Sequence, residues 1–126
     1  MILLDTHIAI DILRKHPPAL EWLAAVSEPI CLPGIVVFEL YQGCANKREA
    51  DAMRRQIARF AVLWASDSVC AGILGEYANA HLAYAAGILD ALIAATGITH
   101  NLKLNTFNQK HFAAFPQLQT VRPYVR

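Results

Sequence analysis

Apolar residues in this chain fall into short runs, each stopped by a polar residue or a proline and followed by helical spacing, and that alternation restricts the fold more than any other feature. Met1 to Leu4 is the first run; it stops at Asp5, reads as a buried strand, and leads into Ile8, Ile10, Ile12 and Leu13, which suit a helix. Pro17 and Pro18 end that helix and start another, in which Leu20, Leu23 and Val26 recur at helical spacing before Pro29. Ile30 to Leu32 forms a second strand before the Pro33-Gly34 break. Ile35 to Phe38 supports two readings: its β-branched residues favour a strand, whereas Glu39 to Gly43 looks like a helix end. Asn46 to Phe60 is a charged amphipathic helix, Ala61 to Trp64 a third strand, and Ser66-Asp67 caps a long Ala-rich helix running toward Ala86 and Gly87. Asp90 opens another helix, Leu102 to Thr106 is a fourth strand, Asn108 to Phe112 a short helical turn, and Thr120-Val121 a last edge strand. Strands alternating with helices predict a parallel sheet covered on both faces, with a site at the carboxyl ends of its strands. Without repeats, low-complexity tracts or linkers, residues 1–126 read as a single domain of the α/β class.

Composition narrows the function classes. With 56% hydrophobic residues in 126 positions, the chain can bury a real core. No apolar run approaches the roughly 20 residues of a membrane span, because Glu76, His81 and Asp90 interrupt the Ala-rich stretch. The first residues have no basic region followed by an apolar core and a cleavage site, and Cys31, Cys44 and Cys70 have neither metal nor disulfide spacing. A cytoplasmic protein of a reducing compartment is expected, with no membrane partner. Eleven Lys and Arg against ten Asp and Glu leave a net charge of +1, so no global field selects a polyanion. Arg54, Arg55 and Arg59 lie on the charged helix with Glu49 and Asp51 nearby and read as a solvated face.

The acids are more informative. Asp5 follows "MILL", Glu39 follows "IVVF" and Asp90 follows "GIL", so three carboxylates stand at the edges of buried segments. Asp90 lies within "ILDALIAAT", apolar on every side, where a carboxylate needs a partner or a cation. Asp5 and Asp90 can each serve as a helix cap; Glu39 is a poor cap with large apolar neighbours. In a parallel α/β fold the strand ends converge, and acids gathered there repel unless a cation sits among them. Carboxylates and water suit Mg²⁺ or Mn²⁺, whereas zinc would want His and Cys spacings that this chain lacks. His7 and Asp11, four residues apart on the first helix, read as a surface pair, and Trp22, Phe60 and Trp64 as core.

The motifs "LLDTH", "FELYQG", "GILDALIAAT" and "LNTFNQKHF", in that order and spacing, resemble the PIN-domain ribonucleases, most closely the VapC-type toxins of bacterial toxin-antitoxin pairs, over nearly the whole chain. The resemblance implies a three-layer α/β/α sandwich with a mainly parallel central sheet and a Mg²⁺- or Mn²⁺-dependent endoribonuclease active on structured RNA such as tRNA or rRNA. It also implies a homodimer held in check by a small antitoxin, with DNA contacted only through that antitoxin. Asp5, Glu39 and Asp90 match the family's three principal acids, as metal ligands. Thr106 matches the hydroxyl residue after the last strand of the motif, and Asn108 falls where relatives carry a fourth acid or Asn, which puts a tightly held second metal in doubt. Thr106 and Asn108 would bond water or phosphate and help fix the ligands, with Thr6 in a similar role. His111 receives no chemistry.

Two rival readings stand beside this one. The first is a non-catalytic module binding RNA or protein through the same fold. The second is a phosphoryl-accepting receiver domain, which would want adjacent acids after the first strand, where Asp5 has no acidic neighbour. A protein partner is expected at an apolar groove containing Ile10, Leu13, Trp22, Leu40 and Tyr41, able to take an amphipathic antitoxin helix.

Overall fold

A computed structural model describes residues 1–126. The elements run β1 (Ile2–Leu4), α1 (Thr6–Leu13), α2 (Pro17–Ala25), β2 (Ile30–Pro33), α3 (Gly34–Gln42), α4 (Lys47–Ile57) and β3 (Ala61–Leu63). They continue through α5 (Asp67–Gly72), α6 (Leu74–Ala83), α7 (Ile88–His100), β4 (Leu104–Asn105), α8 (Gln109–Phe112) and β5 (Thr120–Val121). All strand pairings are parallel and the order across the sheet is β3-β2-β1-β4-β5. This is the expected PIN-like α/β/α arrangement. Leu3, Leu4, Cys31, Leu32 and Leu104 are wholly buried at the centre of a 23-residue apolar core, which explains why these strands are apolar throughout rather than alternating.

The order places the site. The chain steps from β1 to β2 and β3 on one side, then returns to add β4 and β5 on the other, so connections leave β1 and β4 in opposite directions. A crevice opens at the carboxyl ends of strands where the order reverses in this way. Asp5 and Thr106 are the residues immediately after β1 and β4.

Local sequence and tertiary context disagree at three places. Ile35 to Phe38 is helical despite its β-branched residues: Val36 is fully buried, and Pro33 caps α3 directly from the end of β2. Gly34 leaves room for the Trp64 ring, which a Cβ at that position would displace. The Ala-rich helix expected from Ser66 toward Gly87 is instead two helices, broken at the buried Ile73 between Gly72 and Gly75 and ending at Ala83. Trp64, expected in the core, is 60% exposed and packs edge-on against the equally outward Phe38, with ring centroids 6.1 Å apart. The charged face of α4 is solvated as read, with Arg54 pairing Asp51 at 2.8 Å. No helix of the chain is long and apolar enough to cross a membrane.

Candidate active site

Asp5 directly follows β1 and caps α1. Its extended backbone aims the carboxylate back over the helix start, where Oδ1 accepts from the Thr6 N–H at 2.7 Å. Oδ2 accepts from the Thr106 hydroxyl at 2.6 Å, and Thr106 in turn accepts from the Asn108 N–H at 2.9 Å. The Thr6 hydroxyl donates to Glu39 Oε1 at 2.8 Å. One residue therefore holds two acids, Asp5 through its backbone and Glu39 through its side chain. These four residues and Asn108 come from β1, α1, α3 and the turn after β4, brought together by the strand ends.

Asp5, Thr6, Glu39 and Asn108 line an open cleft of about 350 Å³, joined by His7, Ile10 and, one turn beyond Glu39 on α3, Gln42 and Gly43. Thr106 is completely buried beneath it. Burial pushes the Asp5 carboxyl above its ordinary value; the Thr106 hydroxyl and Thr6 amide oppose this, and the Asp90 charge adds to it. Glu39 is also raised, first by burial and then by the charges of Asp5 and Asp90, against the Thr6 hydroxyl. The His7 imidazole on the rim opposes the rise at both acids, last among the causes; neither acid makes an ion pair, those of the chain involving Glu28, Asp51, Asp90 and Asp11.

Asp90 belongs to this field but stands apart from the cleft lining. It is the third residue of α7, not its first as the sequence suggested, and its Oδ2 accepts from the Gly87 N–H at 3.0 Å. The same oxygen lies 3.4 Å from His111 Nδ1, a contact that gives His111 a place the sequence did not assign. No three His, Cys, Asp or Glu side chains converge as a finished metal cage. The donors nonetheless fit a hard divalent cation: they are carboxylate oxygens, crowded, partly buried and free of any ion pair, and Mg²⁺ completes its shell with water around one or two such groups.

Two expectations are corrected here. Asp11 is not a surface partner of His7; it is buried, bonded to Tyr124 and Arg126, while His7 is exposed on the cleft rim. Of the five groove residues, Leu40 is buried and Trp22 faces the Tyr124 ring. Ile10, Leu13 and Met53 do line an adjoining groove of about 210 Å³ that shares Ile10, Glu39 and Gly43 with the cleft.

The PIN domain matches residues 2–118, and the chain belongs to the PIN-domain family. Its relatives there are of VapC type. Ribonuclease VapC19 of Mycobacterium tuberculosis is 37% identical over 94% of this chain and 98% of its own length. Among solved structures, a toxin-antitoxin complex from Klebsiella pneumoniae is 26% identical with a TM-score of 0.76, covering all of both chains. VapBC-1 from nontypeable Haemophilus influenzae is likewise 26% identical, with a TM-score of 0.75 over 96% of this chain and 97% of that one.

Proposed function

We propose that the chain is a Mg²⁺-dependent endoribonuclease, with Mn²⁺ as a substitute, acting as the toxin of a type II toxin-antitoxin pair on structured RNA such as tRNA or rRNA. The observation that carries this reading is the pairing of Asp5 and Glu39 through Thr6 at an open cleft, where neither acid makes an ion pair and the exposed His7 on the rim is the basic group nearby. Kinship with a protein named as a ribonuclease adds the substrate class.

Asp5, Glu39 and Asp90 would hold the cation. When bound, a divalent ion polarises a phosphoryl oxygen and lowers the pKa of a water molecule. The chain's own residues do the rest. Thr106, too buried to meet RNA, fixes Asp5 through its hydroxyl. Thr6 fixes Glu39 by one oxygen and leaves Oε2 free to orient or deprotonate the attacking water. Asn108, at the cleft wall, presents an amide to water or phosphate.

One domain of residues 1–126 carries this chemistry in the cytoplasm. A small antitoxin is the proposed regulator, laying an apolar helix along Ile10, Leu13 and Met53 with a basic side chain toward Glu39. The solved structures of toxin-antitoxin complexes support that partner, and DNA would be met only through it. A second copy of the chain is the proposed dimer partner, for which exposed Phe38, Trp64, Leu82 and Ile88 offer apolar surface. Sequencing RNA ends after brief expression tests the activity. New discrete ends in tRNA or rRNA, absent when Asp90→Asn is expressed at equal level, are expected; no new ends from the unsubstituted chain would refute the reading and leave a non-catalytic binding module, and equal new ends from both chains would remove Asp90 from the site.

A further inference from the structure

A second buried carboxylate, Asp11, lies outside the acidic cleft. A buried charge is costly unless it is matched, and both oxygens of Asp11 are matched by residues 124 and 126. Oδ2 accepts from the Tyr124 hydroxyl at 2.7 Å and Oδ1 from the Arg126 guanidinium at 2.8 Å, across 113 and 115 residues of sequence. The same two side chains hold Phe107. Its ring meets the Tyr124 ring edge-on, centroids 5.1 Å apart, and the Arg126 guanidinium lies 5.4 Å from its centroid, with that of Arg122 at 5.6 Å. Phe107 separates Thr106, which bonds Asp5, from Asn108, which lines the cleft. Just before this arm, Val121 O accepts from the Thr106 N–H at 3.0 Å.

We propose that residues 122–126 form a C-terminal clamp that fixes the Phe107 turn against α1 and so sets where Thr106 and Asn108 stand relative to Asp5. Tyr124 and Arg126 are positioning residues that touch no substrate. The inference rests on the proposed function for its kinetic consequence and on geometry alone for the clamp. Asp5 and Thr106 belong to different strands, so their 2.6 Å hydrogen bond depends on how the α1 side and the β4 side are held together. Backbone pairing contributes little to anchoring the arm, because β5 is two residues long. The side-chain ties to Asp11 and Phe107 supply the remainder. Burial, then the Asp11 carboxylate, hold the Tyr124 hydroxyl well above its ordinary pKa, so it stays a donor at any physiological pH.

The test compares the full chain with Tyr124→Phe, which keeps the ring, and Arg126→Gln, by hydrogen exchange without metal and by RNA cleavage with Mg²⁺. In each variant the amides of residues 106–108 should exchange about tenfold faster while those of β1 and β2 keep their rates. The kcat should fall about tenfold with KM within about twofold, as expected when reacting groups are misplaced rather than removed. Unchanged exchange at 106–108, equal acceleration in every strand, or local acceleration with unchanged kcat would each overturn the clamp. If the unsubstituted chain cleaves no RNA, the function reading fails by itself, and exchange alone then decides: local acceleration supports the clamp and its absence refutes it.

Discussion

Asp5 caps α1 and Asp11 lies within it, each only 5% exposed, yet they are solved in opposite ways. Asp11 is met by a guanidinium and a phenol, so its charge is cancelled within the chain. Asp5 is hydrogen-bonded by neutral donors only, the Thr6 N–H and the Thr106 hydroxyl, and the like charge of Asp90 and the opposite charge of His7 reach it only from a distance. A carboxylate kept for stability brings its counter-charge with it. One kept for chemistry faces a cleft with that charge missing, and a hard divalent cation is the simplest thing to supply it.

The contrast can be broken most directly at Asp5. Asp5→Asn should lower RNA cleavage by at least about a thousandfold, since in the proposed function Asp5 helps to hold the cation. The metal-free melting temperature should stay level or rise, because Asn is also a good helix cap and an uncompensated charge is gone. Wild-type cleavage by this variant would end the assignment. Asp11→Asn should show the reverse weighting: a loss of about 2 kcal/mol, or roughly 6 °C in melting temperature for a domain of this size, as Arg126 loses its anion. Its cleavage should fall only about as far as in the clamp variants, and its metal affinity by less than in Asp5→Asn.

A smaller effect sharpens the electrostatic side. Glu39 binds its proton more tightly in the folded chain than at its ordinary value of 4.5, so the metal-free folded state holds more protons than the unfolded one in the interval above 4.5. Stability therefore falls as pH rises through the folded pKa. Glu39→Gln removes this loss. It should raise the metal-free melting temperature by about 3 °C at pH 7.5 and by nothing measurable at pH 4, read by thermal scans at both values. The smallest effect is at Asn108. Asn108→Asp should tighten Mn²⁺ binding by about threefold to tenfold and slightly lower the metal-free melting temperature. If calorimetry and melting both stay flat, Asn108 is beyond the cation's reach.

Much of the site was legible because local and global signals agreed. Each apolar run that ended in Asp5 or led to Thr106 is a buried strand, and strand ends converge in a parallel sheet. Glu39 reaches the cleft although the segment before it is not the buried run expected: Ile35 to Phe38 continues into Glu39 within α3, and of those four only Val36 is buried while Phe38 is 63% exposed. Had α3 been fixed from sequence, Gln42, one turn on, would have joined the cleft as well. Asp11 was illegible for a different reason. Its spacing from His7 is a local signal, while its true partners lie at the far end of the chain and are chosen by packing around Phe107. The long Ala-rich stretch hid its break for want of any strong breaker besides two glycines, and Trp64 looked like core because size and apolarity do not say which edge of the sheet a ring lies on.

Calorimetric titration of Mn²⁺ into the metal-free chain, Asp5→Asn and Asp11→Asn is the most direct test that the acidic cleft awaits a cation. Saturable binding in the millimolar range or tighter is expected for the unsubstituted chain and for Asp11→Asn, with affinity weakened at least about tenfold in Asp5→Asn. Equal affinity in Asp5→Asn and the unsubstituted chain, or loss of binding in Asp11→Asn alone, would contradict it.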